Sequence, residues 1–280
     1  MSTFSFDLPS LRRRRILQTA GLAAFSAPAW SFAFSESASP TQPTVNTPDH
    51  SALSSGFPTQ PPDLVREMVM VSHFDLKRVQ QFVEAKPSLA RAAWDWGFGD
   101  WESALGAASH MGNRPIAEYL LSRGARPSLF SSAMLGHLDV IKAFISAQPG
   151  IERIRGPHSI SLLAHAKAGG EAARPVYDYL ASLGDADSEP PTPLSQSDLD
   201  AILGRYPFGP GENDRIDVTA EKGNVTWTRA GTMGRPLFHI GGRVFYPSGA
   251  SAVRIACVTE SAGSRMIVRD PDIVLSVLRN

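Results

Sequence analysis

The sequence predicts an α+β chain in two domains, a stack of helical repeats followed by a small antiparallel β-domain. Two observations predict this. Between residues 63 and 187 short apolar helices recur in pairs, each pair punctuated by glycine. After the proline cluster Ser188-Glu189-Pro190-Pro191-Thr192-Pro193 the period shifts from helical to alternating. A third observation sets the start of the folded part: residues 34–62 are rich in Ser, Thr and Pro and too polar to build a core.

The repeats can be laid over one another. Ala104–Asn113 and Leu129–His137 are each a short helix closed by glycine, followed by second helices at Ile116–Leu121 and Asp139–Ile145. A third copy runs Leu162–Gly169 and then Val176–Leu180, and an earlier unit spans Leu64–Val83. Gly136 and Gly169 are 33 residues apart, whereas Gly112 and Gly136 are 24 apart. With Leu120-Leu121-Ser122-Arg123-Gly124-Ala125 as its most specific fragment, residues 63–187 resemble an ankyrin-repeat protein. The resemblance implies a divergent stack of three or four units with a concave partner-binding surface and projecting finger loops. No unit carries the complete Thr-Pro-Leu-His start, and His165 stands where the family has a small residue.

Residues 197–280 read as the β-domain. Ser197 is placed to cap a short helix at Asp198–Leu203, which Gly204 ends. Ile216, Val218 and Ala220 share one face, Val225 and Trp227 another, with Glu221-Lys222-Gly223 as a hairpin turn. Pro236–Ile240, Arg243–Tyr246, Ala252–Val258 and Arg265–Val268 continue the alternation, which predicts a curled sheet or open barrel. Gly204-Arg205-Tyr206, the Val-Thr hairpin and the late apolar strands are similar to a small β-domain found after some exported β-lactamase-like enzymes; the similarity brings no catalytic residue.

The first 33 residues read as an export signal. Arg12–Arg15 form a cationic head, Ile16–Phe34 an apolar stretch, and Ala27-Pro28-Ala29 and Ser31-Phe32-Ala33 two small-x-small sites. Arg13-Arg14-Arg15-Ile16-Leu17-Gln18 resembles the twin-arginine signal, which implies a periplasmic or otherwise exported protein. Membrane contact is then expected only through this segment, if it stays uncleaved. The 27 basic and 27 acidic residues balance, so no electrostatic drive toward nucleic acid is expected. Removing the signal takes four arginines and one aspartate, leaving 23 basic and 26 acidic residues. A single cysteine, Cys257, excludes a disulfide framework and any multi-cysteine zinc site.

No standard catalytic signature is present: no Ser-x-x-Lys, Gly-x-Ser-x-Gly, His-Glu-x-x-His, P-loop or Cys-x-x-Cys. The most unusual stretch is Trp94-Asp95-Trp96-Gly97-Phe98-Gly99-Asp100-Trp101-Glu102. It serves either as an aromatic and acidic platform for a ligand, or as a cover for the stack with Asp100 capping a helix that contains Glu102 and Leu105. His73, His110, His137, His158 and His165 all lie in the repeats, where equivalent positions of successive units come together. His137 reads as structural, Gly156-Pro157-His158 as a rigid loop presenting a histidine, and His165 as a group needing a partner.

The leading expectation is a protein-binding module, without cofactor, catalytic residue or assigned metal ligand, whose partner is another protein. Its surface would be lined by Asp95, Trp96, Asp100, Trp101, His110, Met134, His158, His165 and Lys167. The alternative is an enzyme or a small-ligand or metal binder using the Trp/Asp/His cluster. Geometry separates them. Convergence of His110, His158 or His165 with Asp95 or Asp100 favours the alternative.

Overall fold

The computed structural model describes residues 56–187, 192–221, 224–261, 263–270 and 273–279. The predicted export signal, most of the predicted linker at 34–62 and residues 188–191 of the proline cluster lie outside the described residues. The described part is a mixture of helices and antiparallel sheet, as the sequence predicts.

The helical part consists of successive pairs of contacting helices. They are α1 (Pro62–Val71) with α2 (Leu76–Ala85), α3 (Ala104–His110) with α4 (Arg114–Ser122), α5 (Leu129–Leu135) with α6 (Leu138–Ala147), and α7 (Leu162–Ala168) with α8 (Arg174–Leu183). Each first helix packs on the first helix of the next pair, so that α1, α3, α5 and α7 stand in a row. Small residues allow this closeness: Ala104, Ala107, Ala108, Ala133 and Ala166 are all buried on those helices. Local chemistry starts the helices. Asp75, Ser103, Asn113, Ser128 and Ser161 each accept a backbone N–H of the helix they precede. Gly112 shows how tightly α3 meets α7. Its φ is +68°, and a Cβ there would fall 2.1 Å from the carbonyl oxygen of Ala168.

Between the first two pairs a hairpin interrupts the helices. Strands β1 (Ala93–Asp95) and β2 (Trp101–Ser103) pair antiparallel, with Trp94 opposite Glu102. Gly97, Phe98 and Gly99 all have positive φ and make the turn. This corrects the expected helix around Glu102: that residue is on β2, and Ser103, not Asp100, caps α3.

After the helices, α9 (Gln196–Ile202) leads into the sheet; its cap is Ser195, two residues earlier than predicted. The sheet is an eight-stranded antiparallel meander: β3 (Gly204–Pro207), β4 (Arg215–Glu221), β5 (Asn224–Arg229), β6 (Arg235–His239), β7 (Val244–Pro247), β8 (Arg254–Glu260), β9 (Gly263–Arg269) and β10 (Val274–Leu278). Every strand pairs with its sequence neighbour, and the sheet curls until Arg279, beyond β10, lies against Gly204 at the start of β3. Lys222 and Gly223 of the expected turn lie outside the described residues. Register revises the predicted faces: Val218 stands opposite Trp227 and Ala220 opposite Val225, so these four share one face. Tyr206, Ile216, Phe245, Ile255 and Met266 fill the core on α9's side, with Cys257 buried among them and its thiol pushed up to about 11 by burial. Among the described residues no helix is long and apolar enough to cross a membrane.

Candidate metal centre

Four side chains from three separate stretches of chain meet where the hairpin, the helices and the sheet join. Glu102 on β2 is fully buried. Around it stand His73, in the turn after α1; His110, the last residue of α3; and His158, in the loop before α7. One donor atom of each lies within 4.8 Å of those of the others. His73 Nε2 is 3.5 Å and His158 Nε2 3.4 Å from Glu102 Oε2, and His110 Nε2 is 2.9 Å from Glu102 Oε1. For a tetrahedral ion with arms of about 2.0–2.1 Å, neighbouring ligand atoms stand roughly 3.3–3.5 Å apart. The two longer separations match that edge.

The hydrogen bonds behind the ligands set their tautomers. His73 Nδ1 donates to the carbonyls of Met70 (2.9 Å) and Val69 (3.2 Å), so its Nε2 carries the lone pair. His158 Nδ1 faces Asp100 Oδ2 at 2.8 Å, a carboxylate–imidazole pair of the kind that orients a metal-bound histidine. Trp96 Nε1 donates to Glu102 Oε2 at 2.8 Å and fixes the carboxylate. His110 Nε2 and Glu102 Oε1 face each other as a buried pair at 2.9 Å, and neither atom has another partner. A cation shared between this imidazole and this carboxylate would satisfy both buried atoms.

The sheet supports the site from outside. Arg235 on β6 pairs through Nη2 with Asp100 Oδ2 and donates through Nη1 to the carbonyl of Gly97 (2.9 Å). The backbone N–H of His158 reaches Asp100 Oδ1 at 2.9 Å. Ser248 Oγ donates to the His158 carbonyl, and Gly249 N–H donates to Ser159 Oγ at 2.7 Å. His158 and Ser159 both have φ near +60°, a conformation costly for such residues that these contacts hold in place. Gly249 is also essential by shape. Its φ is +81°, and a Cβ would lie 2.0 Å from Asp100 Cγ. Gly249→Ala should therefore push Asp100 off His158 and lower stability by about 2–4 kcal/mol. Urea unfolding checks this, and a loss below 1 kcal/mol contradicts the packing.

Electrostatics follow from burial and pairing. Burial raises the Glu102 pKa, but hydrogen bonding and attraction to His110, His158 and His73 outweigh it and bring the carboxyl to about 2. Burial lowers the His158 pKa, but Asp100 and Glu102 overcome that and raise it to about 9. Burial lowers His165 to about 4 and also lowers His73. The signs define a pH profile for the metal-free protein. His158, raised when folded, stabilises fully below 6.5, and its contribution is lost as pH climbs toward about 9. His165 and His73, depressed when folded, lose stability as pH falls below 6.5. Glu102 loses its contribution between 4.5 and about 2. Stability measured in the presence of a chelator should thus peak near pH 6.5 and fall on both sides. A profile flat from pH 6 to 9 would contradict the His158 pairing.

The structure brings together some of the predicted site residues and separates others. Asp100, His110 and His158 converge, Trp96 joins them through Glu102, and His165 lies beside them, its ring 6.4 Å from that of His110. Asp95 stands apart, accepting the N–H of Gly97 at 2.8 Å within the hairpin turn. Met134 is buried in the helical core and lines no surface, because α5 is sandwiched between α3 and α7. Trp101 is 64% exposed, and Lys167 is exposed. Glu102 and His73 complete the centre, although sequence reasoning singled out neither as a ligand. No protein-family model matches the chain, and no curated protein matches it.

Proposed function

We propose that this protein binds one divalent transition-metal ion, zinc being the best suited, through His73, Glu102, His110 and His158. The observation that carries the reading is the convergence of three imidazoles on a fully buried carboxylate, one donor atom of each within 4.8 Å of the others. Three imidazoles with one carboxylate suit zinc and its first-row neighbours better than magnesium or calcium, which take oxygen ligands. The ion would tie the first, second and last helix pairs together and, through Asp100, hold the sheet's Arg235 against them. Isothermal titration of chelator-treated protein with zinc tests this. A single site per chain is expected, lost in His158→Ala. Absence of binding at micromolar zinc would refute it.

The partner-binding reading has less to stand on. Of the residues nominated for it, Trp101 and Lys167 remain open to solvent, while the histidines, Asp100 and Trp96 are engaged around the candidate centre. The exposed Trp101 is the observation that still favours a protein partner, since aromatic anchors dominate interfaces. The row of stacked first helices supports an ankyrin-type repeat as our reading of the helical part. Export by the twin-arginine route is likewise our proposal from Arg13, Arg14 and the apolar stretch after them.

A further inference from the structure

Beside the four ligands lies a fifth imidazole that none of the contacts above uses. His165, on α7, is completely buried. Its Nδ1 lies 2.8 Å from the carbonyl of Ser161, an acceptor, so Nδ1 carries the hydrogen and Nε2 a bare lone pair. That Nε2 has no partner. The ring is held firmly. Phe130 lies against it at 4.8 Å, and a Cβ on Gly156 would come within 3.1 Å of its Cε1. The His110 ring stands nearly perpendicular to it, centroids 6.4 Å apart, and Glu102 is near enough to act on it electrostatically. With Nδ1–H committed to the Ser161 carbonyl, the buried Nε2 of the neutral ring is an acceptor only. An acceptor without a donor is unfavourable in a dry interior, and apolar residues would fill this place without that cost.

Resting on the metal reading, we propose that the centre has one further coordination position. It is filled by water, or by the oxygen of a small ligand whose O–H or N–H donates to His165 Nε2. An ion–oxygen arm of about 2.0–2.2 Å followed by a hydrogen bond of about 2.7–2.9 Å spans about 5 Å. His165 is a direct ring neighbour of the ligand His110, which sets it beside the centre. The ligand class follows: small molecules that offer a metal-binding oxygen next to a hydrogen-bond donor, with hydroxamic acids as the simplest probes.

The test uses the full chain loaded with cobalt(II), whose visible absorption reports the coordination shell. Acetohydroxamate is titrated into cobalt-saturated wild-type protein and into cobalt-saturated His165→Phe, which keeps an aromatic ring against Phe130 and removes the Nε2 acceptor along with the Nδ1 contact to Ser161. His165→Leu repeats the comparison if the Phe variant does not fold. A saturable spectral change is expected in the wild type, with affinity at least about tenfold weaker in the variant, the effect of one lost hydrogen bond. Stoichiometric cobalt binding with a spectrum indifferent to acetohydroxamate would show a closed four-ligand shell. It would overturn this inference while leaving the metal centre standing. Equal hydroxamate affinity in wild type and variant would also overturn it, reducing His165 to packing. Failure to bind cobalt at all would overturn the metal reading and this inference with it.

Discussion

Glu102→Gln should lower zinc affinity by about 10²–10⁴ while leaving the fold intact. The carboxylate is fully buried and faces all three histidines. Removing one member of a buried charge pair costs about 3–5 kcal/mol, which is that range in an association constant. Glutamine keeps the shape and an oxygen for the Trp96 N–H, so the loss falls on charge and not on packing. Glu118→Gln, on the exposed side of α4 beside Arg114, serves as the control and should leave zinc binding unchanged. Titration of both variants, with circular dichroism to check folding, decides the matter. Equal zinc affinity in Glu102→Gln and wild type would remove Glu102 from the ligand set.

Arg235→Met should weaken zinc binding by about 10–100-fold, although Arg235 touches none of the four ligands' donor atoms. It acts through Asp100, which orients His158. The variant should also destabilise the protein by about 3–5 kcal/mol, because Asp100 is left buried without its arginine. Methionine keeps an unbranched apolar chain and removes the guanidinium, which also lies over the Phe98 ring at 6.0 Å. Both effects are measurable on one preparation, by zinc titration and by urea unfolding. A stability loss without any change in zinc affinity would mean that the sheet braces the helices but not the centre.

These two residues also show how far the sequence could be read. The helix pairs were legible because apolar spacing and glycine stops are local signals, repeated at Gly112, Gly136 and Gly169. Most strands were legible because alternation at Ile216–Val218 and Ile255–Cys257 is local too. β3 was not, since Gly204-Arg205-Tyr206-Pro207 begins and ends with residues that strands disfavour. β10 reads Val-Leu-Ser-Val-Leu with a single buried residue, Val277, so it lacks the apolar alternation of its neighbours. Glu102 was misread because the Trp-rich run looks like a helix entry. Three consecutive positive-φ residues at 97–99 instead fold it into a hairpin that aims Glu102 inward. His73 was visible only as one histidine among several. Its role depends on α1 stacking on α3, a long-range contact without any fixed spacing in the chain. Arg235 lies more than a hundred residues from Asp100, and nothing near it in sequence signals the pairing.

X-ray absorption at the zinc edge of the stoichiometrically loaded protein measures the centre most directly. The account predicts a first shell of nitrogen and oxygen alone at about 2.0–2.2 Å, with the outer-shell scattering of three imidazoles. Replacing His73, His110 or His158 by Ala should each reduce that imidazole scattering by one ring. A shell of oxygens without imidazole scattering, or a spectrum unchanged in all three variants, would show that zinc binds elsewhere and that the four side chains are an ion-pair cluster of the core.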